Sequence, residues 1–302
     1  VPRLNAGMEL RHIRYFIAVA EELNFTRAAE RLRTAQPSLS QQIRDLEDEV
    51  GTPLLERTKR RVALTAAGRA FLDEARLVMA QTQRAVTMAR RAAQPEQTRL
   101  AIGFLPSAEV KIFPSVLSGI RAQYPDTQVE LRHMTTGEQL AALENGSIDV
   151  AFMRLPVDET TLIHDVVLLE KIVVVLPENH ELSQLAEIPL EALAPFPYLR
   201  VAPNHAGNLS EITEAHCRAM GVQLRPIQDV ENVLTLLTLI GMGIGFGLLP
   251  DYAEHLVFKN VTTRPLAGSA PSVELAMVRS RDRDFPALSG FVDLVKRALH
   301  KD

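Results

Sequence analysis

Between residues 10 and 23, apolar side chains recur every three or four positions (Leu10, Ile13, Tyr15, Phe16, Val19, Ala20, Leu23), which predicts a helix with one buried face. Asn24 and Thr26 can accept hydrogen bonds from the free amides of a next turn, and residues 26–32 predict a short second helix in which Ala28 and Ala29 permit close approach. A third helix is predicted from Gln36 to near Gly51. Pro37 sits in its first turn, and Leu39, Ile43, Leu46 and Val50 lie on its core side. Its other side carries Ser38, Ser40, Gln41, Gln42 and Arg44, short or planar polar groups able to reach base edges in a major groove. Two helices joined by a tight turn, with the polar start of the second exposed, form a helix-turn-helix.

Residues 53–57 and 61–64 predict two short strands around a tip. Arg57, Lys59, Arg60 and Arg61 make four of five consecutive residues basic. A basic hairpin alone is most often a solvated surface, but directly after a helix-turn-helix it suits phosphate contacts as a wing. Thr65 can cap a helix running to about Ala93, some 28 residues or ~42 Å. Phe71, Ala75, Val78, Thr82, Ala85 and Ala89 are spaced 4, 3, 4, 3, 4 along it, a 3.5-residue repeat that favours a seam with a second helix over a face lying on its own chain. Pro95 ends it and predicts a hinge.

From residue 98 the pattern becomes one of strands alternating with helices. Strands are predicted at 100–104, 128–132, 148–153, 171–176 and 244–249. Helices are predicted from 106 to about 123 and at 137–145, 209–220 and 233–240. This alternation predicts a mostly parallel, helix-covered sheet in two α/β lobes with a cleft. Ligands of such sheets lie beyond the carboxyl ends of the strands. Three features fall there. Pro106-Ser107-Ala108 follows the first strand and could cradle a carboxylate, Thr135 and Thr136 follow the second, and Arg154 closes the third and could pair with an anion.

Composition narrows the class. With 46% hydrophobic and 23% charged residues and no apolar run near ~20 residues, the chain reads as a globular protein without a membrane span, for which the cytoplasm is the expected location. No leader pattern is present; residues 1–7 precede Met8 and read as an irregular extension. The net charge of −4 is not that of a protein that coats nucleic acid. Within residues 8–64, ten Arg or Lys face nine Asp or Glu, a net of +1, so DNA binding must rest on where the charges stand. Cys217 has no partner for a disulfide and reads as a packed thiol. The Gly241–Gly247 run lacks phosphate-loop spacing, and no metal grouping, G-x-S-x-G elbow or catalytic constellation occurs, so neither an enzyme nor a cofactor is expected.

These residues resemble the LysR-type transcriptional regulators over nearly the whole chain from Met8. The resemblance is carried by Phe25-Thr26-Arg27-Ala28-Ala29-Glu30-Arg31-Leu32, Ala35-Gln36-Pro37-Ser38-Leu39-Ser40-Gln41-Gln42-Ile43, Leu54-Leu55-Glu56-Arg57 and Leu64-Thr65-Ala66-Ala67-Gly68. It implies a winged helix-turn-helix (8–65), a dimerising linker helix (66–94), and an effector domain like periplasmic binding proteins. The lobes of that domain are expected at 98–169 with 267–302 and at 170–266. It also implies tetramers on an interrupted DNA palindrome and, for an activator, contact with RNA polymerase.

Ile102-Gly103-Phe104-Leu105-Pro106-Ser107 and residues 149–156 are similar to the subgroup controlling breakdown of aromatic acids. That similarity implies an aromatic-acid inducer surrounded by Ser107, Thr136 and Arg154, with apolar contacts near Leu209 and Val233; Thr135 is added from its place at the strand end. Gln36, Pro37, Ser38, Ser40 and Gln41 are expected at the groove, and Thr26, Arg27, Arg57, Lys59, Arg60 and Arg61 near phosphates. The alternatives are a regulator of the same class sensing a different metabolite, and a solute-binding or catalytic α/β protein whose N-terminal helices mediate assembly.

Overall fold

A computed structural model describes residues 8–57, 62–92, 99–157 and 160–299, and the chain divides into two compact units at residue 90. In the first unit, α1 (Leu10–Glu22), α2 (Phe25–Leu32) and α3 (Gln36–Val50) bury Phe16, Val19, Ala28, Leu39, Ile43 and Leu46 against one another. Asn24 alone caps α2, accepting from the amides of Thr26 and Arg27 at 2.9 and 3.1 Å. The helix therefore starts at Phe25, and the Thr26 hydroxyl has no capping role. Strands β1 (Leu55–Arg57) and β2 (Val62–Leu64) pair antiparallel, and α4 (Ala66–Ala92) follows. The wing tip with Lys59, Arg60 and Arg61, and the hinge at Pro95, lie outside the described residues.

The start of α4 is clamped to the segment before the wing. The Thr65 amide donates to the Leu54 carbonyl at 3.0 Å, and the Thr65 hydroxyl accepts from the Gly68 amide at 2.8 Å. A β-carbon on Gly68 would stand 1.9 Å from that same Leu54 oxygen, so only glycine lets the helix come this close. Phe71, Leu72 and Ala75 pack into the unit, with Phe71 edge-on to Phe16. Farther along the same stripe Val78 and Val86 are 42% and 41% exposed, leaving that part of the seam uncovered in one chain.

In the second unit the order is β3 (Arg99–Phe104), α5 (Pro106–Lys111), α6 (Phe113–Gln123), β4 (Gln128–His133), α7 (Thr136–Glu144), β5 (Val150–Arg154) and β6 (Leu162–Pro177). It continues through β7 (Tyr198–Val201), α8 (Pro203–Ala206), α9 (Leu209–Ala219), β8 (Pro226–Val230), α10 (Val233–Gly241), β9 (Gly247–Pro250), β10 (Val261–Pro265), β11 (Ser272–Ser280) and α11 (Pro286–Leu299). The helix expected up to residue 123 is two helices. Ile112 ends α5, and Pro114 starts a new turn because it lacks the amide that would continue the old one.

The expectation of a mostly parallel sheet is corrected. Only β3–β4, β3–β5 and β7–β8 run parallel, whereas β6 pairs antiparallel with β9, β10 and β11, and β11 with β5. The physical cause is β6, a 16-residue strand of which the apolar run 171–176 is only the second half. Its first part pairs with β11 beside β5, β3 and β4, and its last part lies between β9 and β10. The buried side chains split accordingly. Ile102, Phe152, Met277 and Phe291 form one group and Ala101, Met153 and Val278 another, while Val174, Leu176 and Phe246 form a third and Val175, Leu199 and Leu236 a fourth. Among the described residues no helix is long and apolar enough to cross a membrane.

Candidate nucleic-acid interface and ligand cleft

Helix α3 buries Leu39, Ile43 and Leu46 and leaves Gln36, Pro37, Ser38, Gln41 and Arg44 exposed, with Ser40 half-buried. The polar face is organised by its own side chains. Arg44 donates to the Gln41 carbonyl at 2.8 Å, and Gln41 donates to Asp45 Oδ1 at 2.7 Å. Gln42 does not belong to the free face, because its carbonyl faces the His12 ring on α1 at 3.1 Å. On α2, Thr26 is exposed, and Arg27 is tied back to Glu22 through the backbone carbonyl at 2.5 Å and the carboxylate at 3.4 Å. Arg57 is held by Glu47 and lies over the Phe25 ring at 5.1 Å, so its charge is already matched.

In the second unit the strand ends converge. Strands β4, β3 and β5 lie side by side, and each delivers a polar group beyond its carboxyl end. Arg154, 4% exposed, donates to Ser107 Oγ at 2.8 Å and to Glu170 Oε2 at 2.9 Å. Glu170 is fully buried, and its other oxygen is 3.6 Å from Lys111 Nζ, which is held by Asp251. Two cations and two carboxylates thus alternate in one cluster, as burial requires.

Thr135 and Thr136 part company. Thr135 caps α7 in a reciprocal pair with Glu138: its hydroxyl donates to Oε2 at 2.9 Å and its amide to the same oxygen at 2.8 Å. Those hydrogen bonds hold the Glu138 carboxyl below the usual range. Thr136 Oγ1 is buried without a partner. It lies beside the Arg154 stem at Gly207, where a β-carbon would stand 3.2 Å from Thr136 Oγ1 and 3.2 Å from Arg154 Cγ. Gly207 has φ 59°, which compounds the need for glycine there.

A cavity open to solvent brings together Ser107, Thr135, Arg154, Leu209 and Val233, whereas Thr136 does not line it. Val201 and Leu249 extend its apolar wall, while His133, His205 and Asn232 add polar groups. A mainly apolar cavity with a few convergent polar groups is the usual form of a small-molecule site. Tyr252, buried in the wall, also borders the cavity, and burial pushes its phenol up so that it stays protonated. Helix α5 is six residues long, so its dipole adds little, and the Ser107 hydroxyl is engaged by Arg154. Sequence reasoning missed Glu170 and Lys111; the signal for Glu170 was its place, with Lys171, inside the apolar stretch of residues 166–176, and no such pattern marks Lys111.

Cys217 is buried on α9, and desolvation pushes its thiol up, leaving a poor nucleophile. Among the described residues no group of His, Cys, Asp or Glu could hold a metal ion.

The winged helix-turn-helix and the sheet-edge cleft define a DNA-binding regulator that senses a small molecule. Residues 10–69 match the bacterial regulatory helix-turn-helix protein, lysR family, and residues 93–300 match the LysR substrate binding domain. The chain is 43% identical to the Hca operon transcriptional activator HcaR of Escherichia coli K12 over 97% of its own length and 98% of that protein. Full-length BenM superposes with a TM-score of 0.60 at 28% identity, covering 97% of each chain, and the Acinetobacter baylyi protein of that name is 34% identical over 86% of each. Full-length CbnR bound to its target DNA gives 0.58 at 26% identity, covering 97% of this chain and 100% of that one. The chain belongs to the LysR family of transcriptional regulators, proteins that bind DNA, act as oligomers and respond to small-molecule inducers. Its relatives are regulators and not enzymes.

Proposed function

We propose that the protein controls a catabolic operon in response to an aromatic carboxylate of the 3-phenylpropionate or cinnamate kind, which binds in the cleft beside Arg154. The observation that carries this reading is the buried Arg154 with Ser107 on the border of a cavity whose apolar wall contains Leu209 and Val233, the unpartnered Thr136 hydroxyl lying beside the Arg154 stem. One end of the cleft offers donors for a carboxylate, and the other offers area for a ring. The similarity to an Hca operon activator supports the same class. Binding of the acid shifts the balance between two arrangements of the assembly on DNA.

Thermal-shift titration tests the site. 3-Phenylpropionate, cinnamate and benzoate should raise the melting temperature more than succinate does, since a ligand of the native state stabilises it by mass action. Ser107→Ala removes a group that orients Arg154 and should weaken the acid roughly tenfold, the order of one hydrogen bond to a charged group. Unchanged affinity for every acid in Ser107→Ala would remove Ser107 from the site.

At the other end of the chain, Gln36, Pro37, Ser38, Ser40 and Gln41 read base edges, and Thr26, Arg27, Arg57, Lys59, Arg60 and Arg61 stand near phosphates. Pairing through the exposed Val78 and Val86 stripe of α4 forms a homodimer, and two dimers form a homotetramer on an interrupted palindrome in the cytoplasm. RNA polymerase is the partner if the protein activates. Changing Ser40 and Gln41 together to Ala should weaken specific promoter binding about tenfold, because a good base pair contact is worth ~1–3 kcal/mol. Intact specific binding in a mobility-shift assay would mean that other residues read the sequence.

A further inference from the structure

We propose that His12, which is not on the groove-facing surface, is a positioning residue for DNA reading: through Gln42 it sets the direction of the side-chain amides on α3. The proposal rests on α3 being the helix that reads DNA.

His12 is the third residue of α1 and only 8% exposed. The Glu9 amide donates to His12 Nδ1 at 3.1 Å, so that nitrogen carries the lone pair and the ring proton is on Nε2. Nε2 in turn is 3.1 Å from Gln42 Oε1. With its proton fixed there the ring can only donate, and Gln42 can meet it only with its carbonyl.

The Gln42 NH₂ is thereby directed at Asp45, with Nε2 to Oδ2 at 3.4 Å. The other oxygen of Asp45 accepts from the Gln41 NH₂ at 2.7 Å, and the Gln41 carbonyl accepts from Arg44 at 2.8 Å. One ordered chain of donors and acceptors therefore runs from the first turn of α1 to the exposed Gln41.

This order has chemical content. A glutamine amide is nearly symmetric in shape but presents a donor on one side and an acceptor on the other, and base edges are distinguished by that order. Nothing in the shape of Gln42 would stop it from reversing; the ring proton of His12 does, supported on the other side by the longer contact to the Asp45 carboxylate. When Gln41 turns toward a base, Asp45 is still held by Gln42 and remains available to orient it.

Three variants separate positioning from packing. His12→Glu can still accept from the Glu9 amide, as an acidic third residue does in a capping box, but it has no proton for Gln42 and turns that amide around. His12→Gln carries an acceptor and a donor and restores both links. Gln42→Leu cuts the chain from the other side.

Full-length wild-type protein would first select duplexes from a random-sequence library. Fluorescence anisotropy would then compare a selected duplex with an unselected one of equal length. The expected result for His12→Glu is a roughly tenfold fall in the selected-to-unselected affinity ratio, the scale of one base contact, with the unselected affinity and melting temperature close to wild type. His12→Gln should keep the wild-type ratio, and the His12→Glu, Gln42→Leu double variant should lose no more than either single one. A wild-type ratio in His12→Glu overturns the proposal. So does a parallel loss of unselected affinity and melting temperature in both His12 variants, which marks a purely structural residue. If the wild-type protein selects no common sequence, it is the assignment of α3 that fails, and the proposal with it.

Discussion

Replacing Arg154 with Met is expected to lower the melting temperature by roughly 10 °C and to abolish stabilisation by aromatic acids, because removing one partner of a buried ion pair typically costs ~3–5 kcal/mol. The loss comes from what stays behind. Glu170 is fully buried and would keep only Lys111, at 3.6 Å, to offset a charge now matched by Arg154 at 2.9 Å. Ser107 would lose its donor as well. Adding Glu170→Gln to Arg154→Met removes the stranded charge and should recover most of the melting temperature without restoring the response to acid. Differential scanning fluorimetry with and without 3-phenylpropionate reads both effects. A single variant that melts like wild type would show that Glu170 finds another cation, and a retained response would move the carboxylate site away from Arg154.

Gly68→Ala is expected to weaken operator binding strongly while leaving every groove-facing residue in place. The added carbon would stand 1.9 Å from the Leu54 carbonyl oxygen, a backbone atom that cannot rotate away. Relief requires α4 to move off the segment that carries the wing. That movement breaks the Thr65 contacts to Pro53 and Leu54 at 2.9 and 3.2 Å. Overpacking of this kind costs ~1–3 kcal/mol and more where backbone meets backbone. Mobility shifts should show the loss, and circular dichroism melting should show a destabilised N-terminal unit. Wild-type behaviour in both would mean that the clamp is not needed to hold the wing.

The N-terminal elements were legible because local signals agreed there. Apolar residues at helical spacing, a proline in the first turn of α3, a glycine at its end and a threonine before α4 each point to the same boundaries. What sequence could not show was which polar residues are already occupied. Gln42 reads like Gln41 along the chain, yet one meets a buried ring and the other solvent, because α1 crosses α3 beside it. Thr135 and Thr136 are adjacent and chemically alike, and only the capping geometry of α7 assigns one to Glu138 and leaves the other unpartnered.

In the second unit the alternation of strands and helices correctly located β3, β4 and β5 and the polar groups at their ends. It failed where pairing is long-range. The partner of Arg154 is 16 positions away on a strand whose first half has no simple periodicity, since one part of β6 meets β11 and another β9 and β10. The alternation predicts no element beyond residue 250, where strands β10 and β11 and helix α11 lie.

Strand β6 also determines how the second unit can come apart. Leu162 to Lys171 are zipped to β11, and Ile172 to Pro177 to β9 and β10, within one unbroken stretch of backbone. A linker between two halves would let either be excised as a fragment. Here a cut at the crossing point would strip each half of an interior strand and leave raw edges on both. The two halves therefore come apart together, as one body.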